Sequence, residues 1–315
     1  MTGWFLRRLL GTALLVLLLS FLCYALIGLM PGDPLDLMLT ADPKLTAADV
    51  VRLKAAYGLD RPLLARYLAW LAGAVRGDLG YSRLFARPVL DVLWPAFGRT
   101  LLLMGPSLAL ALGLALPLGV LAASRAGTVL DRVLNLAALA TVAVPAFWLG
   151  LVLVVLFAVE LRWLPAGGTA ALGDAGVSPR HLVLPVLTLA LATFGTFFRF
   201  VRAAVAESLA AGHIRTARAK GCGEAQVLWR HALPVAVLPV VTVFALHLGA
   251  VVSGALVVET VFAIQGMGRL VYDAIMGNDF NLALAALLLA SAATLLANLL
   301  ADLAYAWLDP RITYG

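Results

Sequence analysis

The densest run of reactive side chains in this sequence is 207–234, which holds Glu207, His213, Arg215, Arg218, Lys220, Glu224, Arg230 and His231. Their types argue against catalysis. The four histidines, His181, His213, His231 and His247, are scattered and make no HExxH zinc signature. Cys23 and Cys222 have no metal-type spacing and suit no disulfide framework. No G-x-x-x-x-G-K-S/T phosphate loop occurs, and Gly266-Met267-Gly268 lacks the third glycine of a dinucleotide fingerprint. The sequence therefore predicts no catalytic group, no metal site and no cofactor. What the run offers instead is a set of cations placed on strong helix signals.

Those signals predict a folded knob. Ile214 to Lys220 favours a short helix, and Gly221 can stop it in a left-handed cap. A second short helix is expected from about Glu224 to His231, with the chain returning to its next element at Pro234. Arg215, Arg218 and Lys220 would then either face a partner or anchor the knob at a membrane surface.

The elements that must carry the knob are set by composition. Of 315 residues, 63% are hydrophobic and 13% charged, with a mean hydropathy of +0.99. A soluble domain carries about 25% charged residues, so lipid must be the main solvent. Inside lipid the backbone has to satisfy its own hydrogen bonds, which leaves helices or a closed barrel. The apolar runs do not alternate as barrel strands do, so helices are expected. Six runs have roughly the 20 residues needed to cross hydrocarbon: Leu9–Leu29, Thr100–Ser124, Val133–Val159, Leu182–Phe198, Leu233–Val258 and Phe280–Ala301. The net charge of +6 lacks the interleaved aromatics of a nucleic-acid surface, and no nucleic-acid partner is expected.

Basic residues orient the spans. Arg7, Arg8, Arg125, Arg132, Arg199, Arg202, Arg215, Arg218, Lys220, Arg230 and Arg311 fall in short segments on one side, and Arg162, Arg180 and Arg269 on the other. The positive-inside rule puts the richer side, and both termini, in the cytoplasm. The first run follows Arg7-Arg8 and is expected to stay as a span, being too long for a signal-peptide core.

The expected fold is thus all-α and polytopic. It has a first transmembrane helix in 1–30, a helical outer segment in 31–99, and a five-helix core in 100–315 that carries the cytoplasmic loop at about 207–234. In the outer segment, Thr46-Ala47-Ala48-Asp49 reads as a capping-box variant with Gly58 closing its helix. A second helix after Asp60 carries the stripe Leu63, Tyr67, Trp70 and Ala74, suited to capping the outer mouth or to lying at the membrane interface.

Polar residues inside spans are candidates for a solute path. His247 stands mid-way along the fifth run, either lining a path or bonding a neighbouring helix. Asn298 and Asp302 lie one turn apart near the end of the sixth, where Asp302 can pair with a basic residue. The stripes Ala111, Ala115, Gly119 and Ala245, Gly249, Ser253 suggest close helix packing or a pore wall.

The knob also resembles the coupling loop of the inner-membrane permeases of ATP-binding-cassette importers, written E-A-A, three residues, G, nine residues, I-x-L-P. Gly221 takes the glycine, and His231, Leu233 and Pro234 take I, L and P. Arg215-Thr216-Ala217 fills the E-A-A positions and matches only the last alanine. The run Ile214 to Gly221, I-R-T-A-R-A-K-G, is similar to that of the peptide and nickel subgroup. Gly212 and His213 depart from that subgroup, whose members often carry an acid and a tyrosine there. Further landmarks follow in order: Pro31-Gly32-Asp33-Pro34, Tyr57 to Pro62, Gly77 to Gly80, His181 to Pro185, Glu259 to Phe262, Gly266 to Arg269 and Asp309 to Arg311. The resemblance covers nearly the whole chain and points to the first permease of the dipeptide/oligopeptide type. It implies pairing with a second permease, two cytoplasmic ATPase subunits on the coupling loops, and an outer substrate-binding protein. ATP binding would move the loops and flip the cavity, and hydrolysis would reset it. A carrier driven by an ion gradient is the competing expectation. It would normally show intramembrane acids and internal repeats; here the acids near spans, Glu160, Glu259 and Asp302, sit at the edges.

Overall fold

A computed structural model of the chain describes residues 2–28, 61–170, 176–250 and 255–308. The capping-box helix expected at 46–58 and the motifs at 31–34, 57–60 and 309–311 lie outside these residues. Five described helices are long and apolar enough to cross a membrane, and a bent pair brings the number to six.

Helix α1, Thr2–Gly28, exposes leucines along most of its length, including Leu10, Leu14 and Leu18. That is the surface expected of a helix bathed in lipid tails. Helix α2, Leu63–Val75, is the predicted amphipathic helix, with Pro62 at its N-cap. Its Tyr67 is buried against α1: the phenol shares a hydrogen bond with Ser20 Oγ at 2.6 Å and meets Phe21 and Tyr24 edge-on. The stripe thus packs on a span through Tyr67, while its Leu63 stays exposed.

The two-residue strands β1, Tyr81–Ser82, and β2, Arg87–Pro88, pair antiparallel with Tyr81 opposite Pro88. They lead into α3, Val89–Ser124, which begins well before the expected Thr100 because residues 89–99 continue the same helix. Helix α6, Pro179–Ala210, is longer than the expected Leu182–Phe198 and runs past Arg199. The two pack along much of their length. Between lipid-soluble helices there is little hydrophobic drive, so close contact must come from small residues. Ala111 and Ala115 are fully buried, and a Cβ on Gly119 would stand 2.7 Å from Val201 Cγ1. This stripe is helix packing, not a pore wall. The second stripe, Ala245 to Ser253, has its side chains outside the description.

The third run departs from the single straight span expected. Helix α4, Val129–Ala143, and helix α5, Ala146–Val154, meet at a bend of 98°, and a π-helical turn, Val155–Glu160, prolongs α5. The cause is Pro145. Its ring excludes the carbonyl one turn back and forces the preceding Val144 into extended backbone (φ −85°, ψ 124°). Thr128 caps α4 by accepting from the Asp131 amide. Both halves lie on α6; at Gly195 any Cβ would fall 2.2 Å from the Ala138 carbonyl oxygen.

After α6 come α7, Gly212–Ala219, α8, Glu224–Gln226, a π-helical turn, Val227–Ala232, and α9, Leu233–Ala250. Helices α10, Leu256–Val261, and α11, Met267–Met276, form a short hairpin before the last span, α12, Phe280–Leu308. Val258 thus belongs to α10, separate from the described part of the fifth span. The main core gathers Leu103, Phe197, Phe198, Phe262, Met267 and Leu282 from α3, α6, the hairpin and α12.

Candidate functional site

The segment between α6 and α9 is a hairpin with a core of its own. Ile214 and Ala217 on α7 are buried against Val227 and Ala232. Ser208 Oγ, near the end of α6, donates to the Ala232 carbonyl at 3.0 Å and ties the base of the hairpin. At the tip, α7 closes through two backbone bonds, Gly221 N–H to Arg218 and Cys222 N–H to Ala217. This is a Schellman closure, which needs a left-handed residue. Gly221 supplies it, with φ +80°.

Across the tip Arg218 grips Glu224 with two parallel bonds, Nε–Oε1 at 2.8 Å and Nη2–Oε2 at 3.0 Å. The carboxylate raises the Arg218 guanidinium above its ordinary value through that hydrogen bond. Arg215, Thr216, Arg218, Lys220 and Gly221 are exposed together on the hairpin, and Glu207 is exposed on the last turns of α6. Trp229, on the π-helical turn of the same hairpin, is 61% exposed. No coupling-loop motif includes this indole, but a tryptophan amid charged residues is a readable sign of a contact surface.

The return to the membrane differs from expectation. Glu224 to Ala250 runs without a break, since α8 passes through the π-turn directly into α9. The wider turn accommodates Pro234, whose ring would otherwise meet the carbonyl one turn back. Leu233 packs onto a second small core of Val205, Ala236 and Val240, and Pro234 is exposed. The hairpin is consequently one piece with α9 and is bolted to α6.

Of the three path candidates, His247 and Asn298 have described side chains. His247 Nδ1 lies 2.9 Å from the Val243 carbonyl, and its ring meets that of Phe197 at a tilt of 43°, centroids 4.8 Å apart. Asn298 is half-buried on α12. The side chain of Asp302, on the same helix, is outside the description.

The comparisons with known proteins agree with this architecture. Residues 115–314 match the family described as binding-protein-dependent transport system inner membrane component. Residues 1–101 match the N-terminal membrane-component family of the same systems. The chain belongs to this family. A protein of Brucella suis biovar 1 named as a peptide permease is 39% identical, with 97% of each chain covered. The oligopeptide transport system permease protein AppB of Bacillus subtilis is 36% identical over the full length of both. The glutathione transport system permease protein GsiC of Escherichia coli K12 is also 36% identical over the full length of both. This permease is accordingly a multi-pass membrane component of a bacterial transport system that works with other subunits. It is a transport subunit and not itself an enzyme.

Proposed function

We propose that the chain forms half of the pore of an ATP-driven importer for peptides or related small solutes, with the 212–232 hairpin as the lever on which the motor acts. The observation that carries this reading is mechanical. A capped, self-packed hairpin, continuous with one span and bonded to another, passes a push at its tip into both. The names of the relatives, oligopeptide and glutathione permeases, support the solute class.

The partners in this reading are a second, homologous permease, two cytoplasmic ATPase subunits that grip the hairpins, and an outer binding protein that selects solute. The solute path runs beside α9 and α12, where His247, Asn298 and Asp302 stand. Residues 1–30 supply the first helix, 31–99 the outer segment and 100–315 the core. Both termini and the hairpin face the cytoplasm.

Two measurements test this. Reconstituted with its ATPases and binding protein, the transporter should take up peptide on ATP alone; uptake that ignores ATP and collapses with an ion gradient would point to the competing carrier. A membrane-impermeant maleimide should label Cys222 in inverted vesicles and not in right-side-out ones. The opposite pattern would reverse the orientation.

A further inference from the structure

A groove of about 420 Å³ opens between α4 and α6, lined by Asn135, Thr196, Arg199, Phe200, Arg202 and Ala203. Neither the hairpin nor the path uses it. Its charges are unequal. Arg202 is committed to buried Asp131, to which Nε and Nη2 donate at 2.6 and 2.8 Å. Asn135 donates to the same carboxylate at 2.7 Å. That cluster is neutral overall. Arg199 is exposed, and no acceptor among the described residues meets its guanidinium. The groove thus holds one uncompensated cation beside a rigid polar floor.

Its depth says what it meets. On continuous helix α6, Arg180 and Arg199 bracket 18 residues without formal charge, a rise of about 28 Å. Hydrocarbon is about 30 Å thick. With Arg180 at one headgroup layer, Arg199 stands at the other, on the hairpin's side. From there towards the bilayer centre, α4 presents Leu136, Leu139 and Val142 to the outside, Leu136 at 68% exposure. A cation at headgroup level with an apolar wall leading into the bilayer fits a phosphate on a lipid chain.

We propose that this groove binds an anionic phospholipid of the leaflet on the hairpin's side, with its phosphate on Arg199 and an acyl chain along α4. Native mass spectrometry of the intact transporter, equilibrated with phosphatidylglycerol or phosphatidylcholine, tests it. Arg199→Gln should lower occupancy of one phosphatidylglycerol about fivefold and leave phosphatidylcholine unchanged. Arg199→Lys, which keeps the charge, should retain the lipid, and so should Arg76→Gln, which removes an exposed charge elsewhere. Equal phosphatidylglycerol in wild type and Arg199→Gln would overturn the proposal. So would release of the lipid by millimolar inorganic phosphate, which would mark a free-anion site. A raised KM for peptide with lipid retention unchanged would instead make Arg199 a path residue.

Discussion

At the end of the bundle away from the hairpin, Ser82 donates to Asp279 across 197 residues, in a buried bond of 2.6 Å; at the hairpin, Arg218 holds Glu224 only six residues on, in the open. The contrast is repeated. Thr100 on α3 donates to the fully buried Glu259 at 2.6 Å, and the same carboxylate takes the Arg269 amide at 2.8 Å. Asp279 caps α12 through the Leu282 amide while also accepting from Leu84. One end is stitched across the chain; at the other the Arg202–Asp131 pair joins α6 to α4, but the hairpin beyond it closes on itself. A self-contained unit moves as one piece, and a cross-stitched end keeps the helices it joins in register. The division suits a device pushed at one end against a fixed frame at the other.

Breaking the cross-stitched end should have the largest effect. Glu259→Ala strands the Thr100 hydroxyl and the Arg269 amide in a buried site, at a cost of about 3 kcal/mol. The thermal midpoint of the purified chain should fall by several degrees, and Glu259→Gln should recover part of the loss. Asp279→Ala removes a helix cap and two further acceptor bonds, and a loss of about 2 kcal/mol is expected from the same melt. Arg218→Ala, at the exposed tip, should leave the midpoint unchanged, because water replaces the partner of a solvated pair. A fall as large as that of Asp279→Ala would mean that the hairpin is part of the global core after all.

The same contrast governs what could be read in advance. The hairpin was legible because its determinants are local: Ile214 and Ala217 at helical spacing, Gly221 as stop, Val227 and Ala232 a few residues on. The spans were legible because the cost of placing charge in lipid adds up residue by residue. The long-range stitches were not. Glu259 reads as an acid at the edge of a span, and nothing near it names Thr100. Asp279 ahead of the apolar run at Phe280 was a readable cap signal, but its bond to Ser82 was not. Pro145 marks in the sequence where the third run breaks, but its local rule does not give the size of the bend, 98°. Arg199 reads in the sequence as one more orienting cation, because the α4–α6 groove that it lines is made by tertiary packing.

Gly221→Val tests the lever most directly. A β-branched residue is strained at φ +80°, by about 1–3 kcal/mol, and the closure of α7 should open while the cross-stitched end stays intact. In proteoliposomes holding the permeases, ATPases and binding protein, peptide transported per ATP hydrolysed should fall at least about tenfold, the effect of ~1.4 kcal/mol on a coupled step, with the thermal midpoint of the spans nearly unchanged. Wild-type uptake per ATP, with the ATPases still bound, would contradict the account.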